Sequence, residues 1–443
     1  MSEVDEYGED VETLCNYVPL RKVIPFEVKY WRCSAGSGLG DNYMSVVKRI
    51  EVSTHEFDGG VTERKGDINA LFVCAQCFSF IVKRQILSQS RRLLFRCDEA
   101  FYNEINAYTH VIPALEKYFI NGDTVFPQCY YAGTDKKGEL IALEDLKQLG
   151  YRMPNRLLPF DLYHCEIVMK ELAKLHATSI AAKHLDDSNF RERYGKVNEI
   201  VYCEEAESFY GNLLTSSIEE SLKSLRESNV DGSLSDSICM IEQLKAELYQ
   251  KIMYSIKNAS DCVSVMCHGD LYVNNIMFKS NMEDDNACKA PKAVKFFDLQ
   301  AMRYTSFIFD ILHFMFTSTK RELRDAHTNR LLETYRSALH NRLEQLLVSR
   351  EQLESIRETF SLENITKEFT AHALYGLAVS MWVLPAVTFD PNNIPNLDAI
   401  SESVPNANEI KVTQKLTDEY HSRIKDLALE FHQNGYFGTW LEK

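Results

Sequence analysis

The segment CHGDLYVNN, residues 267–275, follows a short apolar run and carries an aspartate and an asparagine five residues apart, Asp270 and Asn275. A second aspartate, Asp298, comes 28 residues after Asp270, in the segment FFDLQ, again at the end of an apolar run. Short apolar runs of this kind, bounded by polar residues, predict buried strands. The pattern therefore predicts two strands, each followed by a loop with a carboxylate.

This set of side chains suits phosphoryl transfer from a nucleotide. One carboxylate orients the attacking hydroxyl and accepts its proton, while an asparagine oxygen and a second carboxylate hold Mg²⁺ against the phosphates. We predict Asp270 as the catalytic base and Asn275 and Asp298 as Mg²⁺ ligands. Two unrelated acidic turns are the alternative, and the complete set in its strand context argues against them. We expect His268 to anchor the loop and Asp310 to begin a helix and fix the loop.

A nucleotide-dependent enzyme of this kind needs a glycine-rich turn near its N-terminus to cover the phosphates. The segment SAGSGLGDN, residues 34–42, lies between the first two strand patterns. It matches neither a Walker loop nor a dinucleotide fingerprint. A flexible hairpin turn is the alternative. The residues predicted to contact ATP here are Gly36, Gly38, Gly40 and Asn42.

A lysine on the third strand should neutralise the phosphates, and a helical glutamate should pair with it. Lys83 in the segment FIVK fits the first role, whereas Lys48 follows the glycines too closely and would lie on the second strand. Glu104 lies 21 residues beyond Lys83, in a helical pattern over residues 101–112 that Pro113 is expected to end. The alternative is that each is a solvated charge.

The segment after residue 143 is predicted to join two parts of the chain. Backbone groups near Glu144 and Leu146 could contact an adenine edge, and a plain acidic loop is the alternative. Strand patterns dominate before this point and helical patterns dominate after it, apart from a strand-rich insert at residues 262–300. We therefore predict an α+β chain with a small lobe at residues 1–143, a junction at 144–150 and a helical lobe at 151–443.

Composition narrows the functional classes. The 443 residues are 45% hydrophobic and 26% charged, as in globular proteins, and carry a net charge of −15. Such acidity disfavours binding to nucleic acids or anionic lipid surfaces. No signal pattern opens the chain, and the uncharged stretch at residues 369–389 is better explained as a buried helix that runs into a loop than as a membrane span. We expect a cytoplasmic protein without an obligate protein partner.

The segment HGDLYVNNIMF, residues 268–278, resembles the corresponding loop of the ecdysteroid kinase-like proteins. These belong to the choline kinase and aminoglycoside phosphotransferase branch of the two-lobed protein kinase-like fold. Further segments extend the resemblance over nearly the whole chain: GLGDNYMS at 38–45, FIVKRQ at 80–85, DEAFYNEINAY at 98–108, LEDLKQLGY at 143–151, LAKLHATS at 172–179, FFDLQ at 296–300 and IFDILHFMFTS at 308–318.

The resemblance implies a small-molecule kinase that uses ATP and Mg²⁺ to phosphorylate a hydroxyl, as on an ecdysteroid or a similar apolar alcohol. Tyr272 stands where the family usually has tryptophan, and Leu299 where it usually has phenylalanine; neither change removes a ligating atom. The helical lobe should hold the alcohol, and Tyr375, Trp382 and Phe389 could line its pocket. Two alternatives stay open: a kinase of the same fold for choline, an aminoglycoside or a plant toxin, and a non-catalytic binding protein on this scaffold.

Overall fold

The computed structural model describes residues 24, 28, 30–36, 45–53, 77–86, 89–135, 138–279, 291–347, 349–390 and 416–438. The chain divides into two compact units. The first comprises Met1–Leu87 with Pro127–Leu149, and the second comprises Ser88–Phe126 with Gly150–Lys443.

The first unit contains an antiparallel five-stranded sheet in the order β1-β2-β3-β5-β4. Its strands are β1 Tyr30–Ala35, β2 Ser45–Ser53, β3 Cys77–Gln85, β4 Cys129–Asp135 and β5 Gly138–Glu144. Because successive side chains point to opposite faces of a strand, alternate residues gather on one face. Ile50, Val52, Phe80, Val82 and Leu140 form the buried cluster there.

The β4–β5 hairpin agrees with the apolar runs that the sequence shows around Gly133 and Gly138. Gly138, opposite Asp135 at the end of the hairpin, has a φ of 118°, which residues with a side chain rarely adopt. β5 therefore returns along β4 and then pairs with β3 in the middle of the sheet.

The second unit is mainly helical. Its helices are α1 Gln89–Leu94, α2 Cys97–Asn106, α3 Ile112–Glu116, α4 Leu162–Leu185, α5 Asp187–Tyr194, α6 Asn212–Ser228, α7 Ser235–Leu244, α8 Leu248–Lys257, α9 Ile308–Ser318, α10 Arg321–Leu346, α11 Arg350–Thr359, α12 Leu362–Ala371, α13 Ala373–Thr388 and α14 Asp418–Gln433. The two longest helices, α4 and α10, pack along each other. The predicted α+β class, with a strand-rich N-terminal part and a helical C-terminal part, is confirmed.

Two small antiparallel sheets of the second unit carry the loops that matter for function. β7 Ser264–Cys267 pairs with β10 Arg303–Ser306. The other sheet has the order β6-β8-β9. Its strands are β6 Tyr151–Arg152, β8 Ile276–Lys279 and β9 Ala293–Phe296.

Pro113 does not end its helix, so this expectation was wrong. A π-helical turn at Ala107–Val111 continues α2, and α3 follows directly, with Pro113 as its second residue. Proline is tolerated in the first turn of a helical segment, where its missing N–H has little to bond with. The π turn shifts the hydrogen-bonding register just before this position, and the chain stays helical through the proline.

Helix α2 belongs to the second unit, whereas the sequence analysis assigned residues 88–126 to the small lobe. The Asn106 side chain donates to the backbone oxygen of Lys196, at 2.9 Å. Asn103 accepts the backbone N–H of Asn198, at 2.8 Å. Each of these hydrogen bonds joins residues about 90 positions apart, and local sequence patterns do not predict contacts at such separations. The lobe boundaries at residues 143 and 150 stay a prediction.

Within the described parts of the chain, no single helix has both the length and the apolar composition needed to cross a membrane. Helices α12 and α13 reach that composition only together, as a pair bent by 55°. Most of α13 is buried, as expected for this uncharged stretch.

Candidate active site

The loop that follows β7 makes a sharp turn at its second residue, Gly269. This glycine has a φ of 85°, in the left-handed region that disfavours a side chain. A Cβ atom added there would lie 1.9 Å from the backbone oxygen of Ala301. Only a glycine therefore lets this loop approach the segment after Asp298 so closely.

Asp310 holds the start of this loop in place. Its Oδ2 accepts the backbone N–H of His268, at 2.6 Å, and its Oδ1 accepts that of Gly269, at 2.8 Å. The side chain is completely buried in the first turn of α9, where Phe307, not Asp310, is the N-cap residue. The expected N-cap role is therefore replaced by a direct bond to the loop.

The charge of Asp310 is supported by a buried histidine. Nε2 of His176 lies 3.2 Å from Oδ2 of Asp310, and its Nδ1 lies 2.8 Å from the hydroxyl of Tyr335. Burial alone would raise the pKa of Asp310, but the bond from His176 and the neighbouring donors bring this pKa below its usual range. The loop is thus anchored on an ionised carboxylate.

His268 connects the two loops that carry the predicted catalytic residues. Its Nε2 donates to the backbone oxygen of Phe297, at 3.0 Å, and its Nδ1 accepts the backbone N–H of Asp270, at 3.3 Å. A carbonyl oxygen cannot donate, so Nε2 carries the proton. Burial lowers the pKa of His268, which keeps the ring neutral in this arrangement.

Asp270 and Asn275 are in direct contact. Nδ2 of Asn275 donates to Oδ2 of Asp270, at 3.0 Å, and to its backbone oxygen, at 2.8 Å. Because the amide nitrogen is used in this way, the amide oxygen is the atom with which Asn275 could bind a cation. The pair thus combines a fixed carboxylate with an oxygen ligand.

Asp298 lies at the same edge of the small sheet as Asn275. The backbone N–H of Phe297 donates to the backbone oxygen of Asn275, at 3.1 Å. This bond lies where β8 begins and β9 has just ended. Asp298 has a φ of 67°, a conformation that aspartate and asparagine tolerate better than most residues. Carboxylate and amide oxygens are the ligands that Mg²⁺ prefers, so the donor set fits this ion.

Helix α2 supports the backbone that follows Asp298. Oε1 of Glu104 accepts the N–H of Leu299, at 3.3 Å. Nδ2 of Asn103 donates to the backbone oxygens of Gln300, at 2.8 Å, and Met302, at 3.1 Å. The sequence analysis overlooked Asn103, and the expected pairing of Glu104 with Lys83 stays a prediction.

In the first unit, Lys83 lies buried on β3 and Lys48 lies on β2, the strands on which the sequence places them. Gly36 directly follows β1, and its N–H donates to the backbone oxygen of Val47, at 3.0 Å. A Cβ atom on Gly36 would come within 2.7 Å of the Val47 side chain. The other predicted residues of this turn lie outside the described residues: Gly38, Gly40 and Asn42.

The segment that includes Glu144 and Leu146 is tied to the sheet of the first unit. The backbone N–H of Glu144 donates to the oxygen of Gln128, at 2.9 Å, so this group is already bonded. Leu146 is buried. Asp145, which the sequence analysis overlooked, accepts bonds from Arg49 Nε and from a serine hydroxyl, each at 2.7 Å. Their role in nucleotide binding stays a prediction.

His313 on α9 is a further residue that sequence reasoning missed. Its Nε2 lies 3.5 Å from Oδ1 of Asp270, and its side chain is buried. It follows Asp310 by three residues, and residues at this spacing share one face of a helix. That spacing was a signal that both side chains could reach the same loop.

Several aromatic rings of the second unit contact the ring of Trp382. Trp382 stacks on Tyr202 with ring centroids 5.7 Å apart and also contacts Tyr210, at 5.9 Å. Burial raises the pKa of Tyr210, and the negative charge of Asp270 adds to this rise. By contrast, Phe369 and Phe389 are buried in the helical core. The lining of a pocket for the alcohol by Tyr375, Trp382 and Phe389 stays a prediction.

Comparison with known proteins identifies similar solved structures and a matching family. One is a GDP complex of a mutant aminoglycoside 2'-phosphotransferase-IIIa, with 12% identity, a TM-score of 0.35 and coverage of 82% of this chain and 98% of that chain. Another is a choline/ethanolamine kinase family protein from Mesorhizobium loti, with 11% identity, a TM-score of 0.33 and coverage of 86% and 98%. No curated protein sequence matches significantly. The model of the ecdysteroid kinase-like family matches residues 39–348, which is more than half of the chain, and the chain therefore belongs to this family.

Proposed function

We propose that the chain transfers the γ-phosphoryl group of ATP, with Mg²⁺, to a hydroxyl of a small molecule. The observation that carries this proposal is the contact of Asn275 with both the side chain and the backbone of Asp270. It fixes a carboxylate within a loop that Asp310 anchors and places an oxygen ligand beside it. Positioning and charge stabilisation of this kind provide most of the catalysis in phosphoryl transfer.

In the proposed reaction, Asp270 accepts the proton of the substrate hydroxyl. The hydroxyl oxygen forms a bond to the γ-phosphorus while the bond from that phosphorus to the bridging oxygen of ATP breaks, and ADP leaves with this electron pair. Asn275 and Asp298 would hold Mg²⁺, which neutralises charge on the phosphate oxygens.

The remaining ATP contacts are proposed from the sequence. Lys83 would neutralise phosphate charge, with Glu104 as its partner. The glycine-rich turn, including Gly36, would cover the phosphates, and Glu144 and Leu146 would face the adenine. Family membership supports these assignments, since the matched region from residue 39 to 348 includes Lys83 and both acidic loops.

We further propose that the substrate is a bulky, mostly apolar alcohol such as an ecdysteroid. The stacked rings of Trp382 and Tyr202, with Tyr210 beside them, offer apolar surface near Asp270. Pockets for such ligands are mostly apolar, with a few polar groups for orientation. The net charge of −15 also disfavours an anionic substrate.

The test is a comparison of wild type with Asp270→Asn on γ-labelled ATP and a panel of steroid, phenolic and amino alcohols. We expect Asp270→Asn to lower turnover at least ~100-fold, because an amide cannot accept the proton. ATP affinity, measured by calorimetry, should change little. Asp236→Asn is the matched control, since this carboxylate on α7 is largely exposed. Unchanged turnover in Asp270→Asn would exclude the proposed base.

A further inference from the structure

His313 places an unsatisfied polar atom beside Asp270. Its side chain is only 4% exposed, and Nε2 lies 3.5 Å from Oδ1 of Asp270. Among the residues that the structure describes, this nitrogen has no hydrogen-bond partner. A buried polar atom without a partner is costly, and native proteins seldom keep one without a function.

The other face of the ring determines which nitrogen carries the proton. Nδ1 of His313 lies 3.3 Å from the hydroxyl of Tyr375. Nη2 of Arg303 donates to the same hydroxyl, at 2.8 Å, and a guanidinium group can only donate. One of the two acceptor sites of the Tyr375 hydroxyl is thus taken, and its proton can be donated to Nδ1. The neutral ring then carries its proton on Nε2.

Arg303 is itself held firmly. It is buried, and its Nη1 donates to Oε2 of Glu199, at 2.7 Å. One continuous chain of polar side-chain contacts therefore runs from Glu199 through Arg303 and Tyr375 to His313. The chain ends at the carboxylate of Asp270.

The ring of His313 is neutral. Burial lowers its pKa to about 3, and the charge of Arg303 acts in the same direction, against the opposite effect of Asp310. Its contact with Asp270 is therefore that of a neutral N–H donor facing a carboxylate. A neutral N–H donor in this position can direct the carboxylate without removing its negative charge.

We propose that His313 is a positioning residue whose Nε2–H directs Oδ1 of Asp270, while Asn275 holds Oδ2. This inference rests on the proposed function of Asp270 as the base. With both oxygens directed, the carboxylate is held against rotation away from the substrate hydroxyl. Preorganisation of this kind lowers the activation barrier without a direct contact between His313 and the substrate.

The first test measures the tautomer of His313 and does not depend on activity. Nitrogen NMR of the full chain labelled at histidine, assigned by comparison with His313→Gln, should show the proton on Nε2. Tyr375→Phe removes the hydroxyl proton and should shift the ring toward a mixture of the two tautomers. A wild-type ring protonated on Nδ1 would overturn the proposal.

The second test separates positioning from packing. His313→Leu keeps much of the volume without the donor, and we expect kcat to fall about 10-fold or more while the KM for ATP changes less than about twofold. His313→Gln retains an N–H donor and should recover most of kcat. The control is His340→Leu, since this histidine is also buried but lies on α10 beside Arg336.

The outcomes distinguish this inference from the proposed function. If wild type phosphorylates an alcohol but His313→Leu has the same kcat, the positioning role is wrong and the proposed function stands. A kcat for His313→Gln as low as that of His313→Leu would also overturn the role. If wild type transfers no phosphate, the proposed function fails. The tautomer of His313 then still decides whether its Nε2–H faces Asp270.

Discussion

Oδ1 of Asp310 accepts the backbone N–H of Gly269 at 2.8 Å, although 41 residues separate the two in the sequence. The same carboxylate accepts the N–H of His268 and the Nε2 proton of His176. One buried side chain on α9 thereby fixes the conformation of the loop that carries Asp270.

We expect Asp310→Asn to destabilise the second unit and to lower turnover. An amide would present an NH₂ group toward one of the backbone N–H donors, so at least one buried hydrogen bond is lost. Loss of a bond to a charged group costs about 2–3 kcal/mol. Urea unfolding measures the stability, and kcat on the best substrate alcohol measures the displacement of the loop.

Glu430→Gln is the matched control for this variant. Glu430 is a second buried carboxylate, and Arg324 donates to its Oε1 at 3.0 Å, in a contact between α10 and α14. Its substitution should lower stability by a similar amount and leave the kcat of the folded protein unchanged. If both variants keep kcat, Asp310 does not position the loop.

Gly269→Ala should abolish turnover and reduce stability strongly. The added Cβ would lie 1.9 Å from the oxygen of Ala301, in a backbone with a φ of 85°. Gly122 has a φ of 72° but open space around its missing Cβ. Gly122→Ala should therefore show only the backbone cost, about 1 kcal/mol. Equal losses of stability in the two variants would contradict the role of the close approach.

Two substitutions of Asp298 distinguish the loss of the proposed metal ligand from the effect of backbone strain. Alanine at a φ of 67° is strained, whereas asparagine tolerates this conformation. We expect Asp298→Ala to lose both stability and the tightening of ATP binding by Mg²⁺. Asp298→Asn should keep stability and lose most of that tightening. Calorimetric titration of ATP with and without Mg²⁺ is the measurement, and wild-type affinity that ignores Mg²⁺ would argue against the site.

The sequence predicts those parts of the site that depend on local patterns. Asp270 and Asp298 each come shortly after an apolar run, and Asn275 lies five residues after Asp270, at the start of β8, whose pairing with β9 brings Asn275 and Asp298 to one edge of a sheet. The position of Lys83 on the third strand is also predictable, because the apolar runs before it can be counted in the sequence.

The remaining contacts depend on side chains that are distant in the sequence. Asn103 bonds to Gln300, 197 residues away in the sequence, and Arg303 bonds to Tyr375, 72 residues away. No periodic pattern in the sequence predicts contacts at such separations. His313 lies within an apolar helix, where a histidine usually packs as a core residue. The continuation of the helix through Pro113 depends on a π-helical turn, which propensities do not predict.

Acid should destabilise the protein partly through His313. Burial lowers its pKa to about 3, against an ordinary value of 6.5, so the unfolded chain binds more protons between these limits. Stability is therefore fully present above pH 6.5 and falls as the pH decreases toward 3. Between pH 7 and 5 this residue should contribute a loss of about 2 kcal/mol. Urea unfolding of wild type should show this extra loss relative to His313→Gln, and identical pH dependence would contradict a buried neutral ring.

Trp382 should determine the affinity for the substrate alcohol. Trp382 is partly exposed and its ring stacks on Tyr202, so an apolar ligand can cover it. We expect Trp382→Ala to raise the KM for the alcohol at least ~10-fold and to change the KM for ATP little, since a large aromatic surface is lost. Trp382→Phe should retain most of the affinity.

If Trp382 only packs the core, Trp382→Ala will instead lower Tm and affect both KM values together. Phe389→Leu is the comparison variant, and it is expected to lower Tm without a change in either KM. Rapid phosphorylation of choline without activity on any steroid would exclude the apolar substrate, while the proposed kinase function would stand, because the proposed roles of Asp270 and Asn275 concern the hydroxyl and the phosphates, whatever molecule carries the hydroxyl.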